Sequence, residues 1–87
     1  MAWIVEFSQT AASQFSKLDK PEKTRIKKFI AKLSDLDNPR YNGKMMQGEY
    51  SEYYRYRVGQ FRLICSIEDT KMLITVIKLG HRKDVYK

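Results

Sequence analysis

One cysteine, Cys65, is all the sulfhydryl chemistry this chain has, so an intramolecular disulfide framework is excluded, as is any zinc site needing a cysteine pair. A thiol without a partner suits a reducing compartment. The opening MAWIVEF lacks the basic start and apolar core of a secretory leader, and no apolar run reaches the length of a membrane span. The expected setting is therefore the cytoplasm. Internal repeats and low-complexity linkers are missing too, and 87 residues suffice for one small domain, 1–87, with a core only just large enough to hold it. Carboxylates are scarce: 10 Asp and Glu stand against 17 Lys and Arg, a net charge of +7. For so short a chain that is a strong positive field, and it points to a polyanionic partner such as RNA, DNA or an acidic protein.

What is present reads as two helices followed by strands. Trp3 to Phe7 is short, apolar and partly β-branched, as in a strand. Ser8 is placed to cap a helix running through Leu18, with Ala11, Ala12, Phe15 and Leu18 as its apolar stripe. A second helix starts near Asp19 and Lys20, where Pro21 is a good first-turn residue because its missing N–H would find no helical acceptor. Ile26, Phe29, Ile30, Leu33 and Leu36 recur at helical spacing, and Asn38-Pro39 closes the element. Its other face carries Lys20, Lys23, Arg25, Lys27, Lys28 and Lys32, a pattern that fits a solvated face or a phosphate-contacting one equally well.

Beyond a polar loop at Tyr41 to Gly43, three strands follow: Tyr53 to Val58, Phe61 to Glu68 and Lys71 to Leu79. Gly59-Gln60 and Asp69-Thr70 have the length of two-residue hairpin turns, which gives an antiparallel meander. If Val58 pairs with Phe61, then Arg57 faces Arg62, Tyr56 faces Leu63 and Arg55 faces Ile64. One sheet face collects Tyr54, Tyr56, Val58, Phe61, Leu63, Cys65, Ile67, Met72, Ile74 and Val76, and the helices should cover it. The other carries Arg55, Arg57 and Arg62, followed by Ser66 and Thr75. Like charges across strands repel, so three arginines on one face either splay into water or await an anion. Guanidinium groups offer planar, paired donors matched to phosphate oxygens. By strand parity His81 lies on the side of Ile77 and Leu79, from which a C-terminal cluster is expected to reach the arginines.

The stretch GKMMQGEYSEYYRYRVGQFRLICSIEDTKMLITVIKLGHRKDVYK resembles the second half of the RelE toxins of the RelE/ParE superfamily. Three parts carry the resemblance: Gly43-Lys44 with Gly48, the segment Tyr54-Arg55-Tyr56-Arg57-Val58-Gly59-Gln60-Phe61-Arg62, and the ending Gly80-His81-Arg82-Lys83-Asp84-Val85-Tyr86. The first 40 residues match the family's β-α-α opening in pattern only. The resemblance implies an α+β fold of order β-α-α-β-β-β, with two N-terminal helices packed on one face of a four-stranded, mainly antiparallel sheet. It also implies the toxin of a type II toxin–antitoxin system, an endoribonuclease that cuts messenger RNA in the ribosomal A site and is held inactive by a cognate antitoxin. Its partners would then be the antitoxin, the ribosome and mRNA, with DNA reached only through the antitoxin complex.

By position, Arg55 and Arg57 take the family's two RNA-holding strand positions, and Lys44 and Lys83 add to the phosphate-binding charge. Arg62 matches the arginine that stabilises the scissile phosphate, Arg82 the arginine after Gly-x, and Tyr86 the tyrosine that ends the motif. Such chemistry needs no metal or cofactor: the RNA's own 2′-OH attacks the phosphodiester. Tyr86 as phenolate is the expected base, although a tyrosine titrates near about 10 without help from cations. His81, of the residue type most often used for general acid–base work, is its rival. Other classes compatible with the same fold are a ParE-like toxin that inhibits DNA gyrase without being a nuclease, and a plain basic RNA-binding module. Arg62, Arg82 and Tyr86 are what the nuclease alone requires.

Overall fold

Serine hydroxyls pin the helices to the strands. In the computed structural model, which describes residues 3–46 and 53–81, strand β1 (Ile4–Phe7) runs directly into helix α1 (Gln9–Ser16). Ser8 caps that helix as expected, its Oγ accepting from the Ala11 N–H at 3.0 Å and donating to the Ile77 carbonyl at 2.6 Å. Helix α2 (Lys20–Ser34) opens with Asp19 as N-cap, whose backbone N–H donates to Glu22 Oε1 at 3.2 Å, and has Pro21 in its first turn. It buries Ile26 and Leu33 and stops at Ser34, so Leu36 lies beyond the helix that its spacing had suggested. Trp3 and Ser34 close the loop between β1 and α2: the Trp3 N–H donates to the Ser34 carbonyl and the Ser34 hydroxyl to the Trp3 carbonyl. Neither helix is long and apolar enough to cross a membrane.

The α+β architecture is as expected, with one more strand. After a short 3-10 turn at Pro39–Asn42 come β2 (Lys44–Met45), β3 (Tyr54–Val58), β4 (Phe61–Glu68) and β5 (Leu73–His81), in the sheet order β1-β5-β4-β3-β2. β1 is parallel to β5 and the other pairs are antiparallel, so five strands replace the four of the sequence reading. The added strand, β2, has only two residues and so no alternation to detect in sequence; Lys44 pairs with Arg55 and Met45 with Tyr54.

The β3–β4 hairpin has the register derived from Gly59-Gln60, with Val58 opposite Phe61 and Arg57 opposite Arg62. Gly59 adopts φ +60°, the left-handed conformation such a turn requires. The next hairpin differs. Glu68 pairs with Leu73, which leaves a four-residue turn in place of Asp69-Thr70, and Met72 takes φ 47° while its N–H donates to the Asp69 carbonyl. A bulge follows: Ile64 pairs with Lys78 but Cys65 with Val76, so Ile77 is the extra residue. Side chains before and after it change phase. Leu79 is thereby turned into the core at 1% exposure, joining Tyr56, Val58, Leu63, Cys65, Ile74 and Val76 beneath Ala11, Ile26 and Leu33. Strand parity alone puts Leu79 with Ile77, off the core face, and the bulge corrects that. Burial also pushes the Cys65 thiol up to about 12, so it packs as a small apolar group.

Candidate nucleic-acid interface

Alternation along β3 and β4 sends Arg55, Arg57 and Arg62 to the sheet face that the helices leave uncovered, and pairing adds Lys44 from β2 and Lys78 from β5 to that face. Lys44, Arg55, Arg57 and Arg62 line one hollow of about 230 Å³. No carboxylate lies among these lining residues. A second hollow of about 370 Å³ continues it along the sheet edge, sharing Lys44 and Arg55 and adding Met45 and Met46.

Arg62 is the most constrained member. It is only 8% exposed, and among the described residues its Nε has no hydrogen-bond partner. Beside it on the same face Ile64 is 1% exposed, a burial that its parity, away from the core, does not suggest. An apolar neighbour lowers the local dielectric, which strengthens the pull of nearby cations on an anion and raises the cost of leaving a guanidinium unpaired. A buried cation with an idle donor, in a hollow walled by three other cations, is built to receive an anion with several oxygens.

Packing on the far side sets where β2 and β3 lie. Tyr56 is fully buried, its hydroxyl donating to the Pro39 carbonyl at 2.9 Å, and burial raises its pKa. Gly43 crosses the Tyr56 ring so closely that a Cβ there would stand 2.9 Å from ring carbons. That crossing delivers the next residue, Lys44, to its place opposite Arg55. Arg40 fastens the same turn: its two terminal nitrogens donate to Asp69 at 2.9 and 2.8 Å, and its Nε donates to the Tyr54 hydroxyl at 3.2 Å. The carboxylate raises the Arg40 pKa, and in return the guanidinium holds the Asp69 carboxyl below its usual range. Neither Arg40 nor Asp69 was singled out from sequence. They are far apart in the chain, and only the fold joins them.

The structure separates His81 from the arginines. Because of the bulge His81 pairs with Phe61, which puts it with Leu79 on the helix-covered side of the sheet. Its ring meets Phe61 edge-on at 6.0 Å, and its Nε2 lies 3.0 Å from Gln60 Oε1. Parity without the bulge had sent His81 to the arginine side, and that expectation is corrected here. Arg82, Lys83 and Tyr86 lie outside the described residues. Of the expected site, then, the structure brings together Lys44, Arg55, Arg57 and Arg62.

A family model for the ParE toxin of type II toxin–antitoxin systems matches residues 5–86. A RelE-like toxin protein of Escherichia coli is 30% identical, over 99% of this chain and 92% of that protein. The mRNA interferase toxin RelE of E. coli K12 is 26% identical, over 95% of this chain and 86% of its own length. Among solved structures, a chain of the toxin–antitoxin complex RelBE2 from Mycobacterium tuberculosis superposes with a TM-score of 0.85 at 26% identity, covering 97% of this chain and 95% of that one.

Proposed function

The chain belongs to the ParE toxin family of type II toxin–antitoxin systems, and from that premise we propose that it is a RelE-type mRNA interferase, an endoribonuclease that cuts messenger RNA in the ribosomal A site. The observation that carries the proposal is the buried, incompletely paired Arg62 in a hollow walled by Lys44, Arg55 and Arg57. Relatives of 26% identity that bear the name mRNA interferase support the same reading.

Each step falls to a residue of this chain. Lys44, Arg55 and Arg57, with Lys83, hold the RNA backbone. Tyr86, as phenolate, takes the proton from the 2′-OH, whose oxygen attacks the adjacent phosphorus. Arg62 stabilises the extra negative charge on the pentacoordinate phosphorane, the kind of interaction that usually contributes most in such a site. The bond to the 5′-oxygen then breaks with Arg82 donating a hydrogen bond to the departing oxygen, which takes a proton from water as Tyr86 gives its proton up to solvent, leaving a 2′,3′-cyclic phosphate and a 5′-hydroxyl end. Arginine offers a planar set of charged donors and no lone pair, so Arg55 and Arg57 act through charge and not as acid or base. His81, on the other side of the sheet, has no part in the scheme.

A cognate antitoxin is the second partner, as in the toxin–antitoxin complexes that share the fold. An acidic or amphipathic segment would oppose the arginines. Primer extension on translated and on free mRNA tests the proposal: wild-type protein cuts only the translated message, while Tyr86→Phe and Arg82→Ala remain folded, bind antitoxin and do not cut. Equal cleavage by all three would overturn the assigned roles. Loss of DNA supercoiling by gyrase with mRNA intact would replace the nuclease with a gyrase poison.

A further inference from the structure

The β3–β4 hairpin has a second basic surface on the side away from the arginine hollow. Arg25, Lys28 and Lys32 recur on one face of α2 at the i, i+3, i+7 spacing that aligns side chains. With Phe29, Val58 and Gly59 they line a groove of about 420 Å³ between the helix and the hairpin turn. The Arg25 guanidinium lies over Gly59, its Nη1 2.8 Å from where a Cβ would stand. Among the described residues none of the three cations makes an ion pair: the nearby Glu22 carboxylate is taken by the Asp19 N–H, and the ion pairs lie elsewhere, at Arg40–Asp69 and Glu68–Lys71. Like charges at these spacings destabilise a helix, so the alignment works against the fold unless an anion meets it.

Two observations point to a nucleic-acid backbone. First, the groove and the arginine hollow share one strand. Arg57, exposed, looks into the hollow; Val58 and Gly59, the next two residues, form the wall of the groove. β2 pairs with β3 only at Tyr54 and Arg55, so among the described residues no strand covers the outer edge of β3 beside Arg57 and Val58. A chain passing round that edge meets cations on both sides. Second, the two apolar side chains that line the groove also serve the core, which leaves the exposed Arg25, Lys28 and Lys32 as its projecting groups. Phe29 packs against the Tyr56 ring and Val58 is only 6% exposed, both committed to the core. A docking protein helix relies on apolar anchors, whereas a phosphodiester chain needs only a positively charged track.

We infer that Arg25, Lys28 and Lys32 form a second RNA-backbone site, continuous around the Arg57–Gly59 edge with the arginine hollow, so that one RNA strand occupies both sides of the hairpin. The inference rests on the reading of that hollow as an RNA site. It adds a binding track that the cleavage chemistry does not require.

The test uses full-length protein and a single-stranded 2′-O-methyl RNA oligonucleotide, which cannot be cut by 2′-oxygen attack and so reports binding whether or not the nuclease reading holds. Affinity is measured across a salt series for wild type, for Arg25→Gln/Lys28→Gln/Lys32→Gln, and for Lys17→Gln/Lys20→Gln/Lys27→Gln, which removes equal charge from outside the groove. Single-strand binding loses about 0.7 in the log–log salt slope per phosphate contact, so the groove variant is expected to lower the slope by about 2 and the control by far less. Lys28→Gln/Lys32→Gln, which leaves Arg25 over Gly59, should lower it by about 1.4 and serves if the triple variant is unstable. Equal slopes in groove and control variants would overturn the inference, leaving only net charge. A wild-type slope with weakened antitoxin binding would also overturn it and assign the groove to the protein partner.

Discussion

Arg57 on β3 stands directly opposite Arg62 on β4, and both line the hollow on the open side of the sheet. Such a pairing is unfavourable in the free protein and favourable once an anion lies between the two, so the site holds its charge at some expense of stability. Arg57→Thr removes the repulsion at the more exposed partner and adds a good strand former. Its urea midpoint should rise by the equivalent of a few tenths to about 1 kcal/mol, while the salt slope for RNA binding falls by about 0.7. A variant no more stable than wild type would show that water already screens the pair.

Among the described residues of the expected cluster, His81 is the one that the structure moves to the other side. His81→Gln keeps a hydrogen-bonding side chain beside Gln60 and should leave the cleavage rate and its pH profile close to wild type. A general acid or base is worth about 10² to 10⁴ in rate, so a loss of that size on single-turnover cleavage would return His81 to the chemistry.

Asp69 gives the fold an acid-sensitive fastening. Arg40 holds the Asp69 carboxyl below its usual range, so the folded state is favoured wherever the unfolded carboxyl would be ionised, above about pH 4. That contribution disappears as pH falls through the lower folded value. Asp69→Asn lacks it at every pH, so the gap in Tm between wild type and variant should be steady near neutrality and close toward zero on acidification below about pH 4. A gap that stays constant through the acid range would mean that Asp69 acts through packing or turn geometry instead.

Legibility followed the range of the interactions. Ser8, Asp19 and Pro21 announce helix starts because capping is local, and Gly59-Gln60 sets the register that brings Arg57 to Arg62 because a two-residue turn leaves no freedom. Ile77 shows the limit. A bulge depends on how two strands meet, so nothing in KMLITVIKLGH marks the phase change that buries Leu79 and turns His81 away. Lys44 was found through resemblance while its strand was missed, since two residues make no pattern. Arg40 and Asp69 meet only after the fold forms, and Ile64 did carry a signal, an apolar residue at an arginine-side position that fits the now buried floor beside Arg62.

Arg62 bears the account most directly, and Arg62→Met tests it. Methionine keeps much of the apolar stem while removing a buried charge whose Nε lacks a partner among the described residues, so the fold should be as stable as wild type or more so. Single-turnover cleavage of a translated message should nonetheless fall by at least about 10², the usual loss when one donor to a developing oxyanion is removed. A stable Arg62→Met protein cutting that message at the wild-type rate would contradict the assignment of the arginine hollow as the place where RNA is broken.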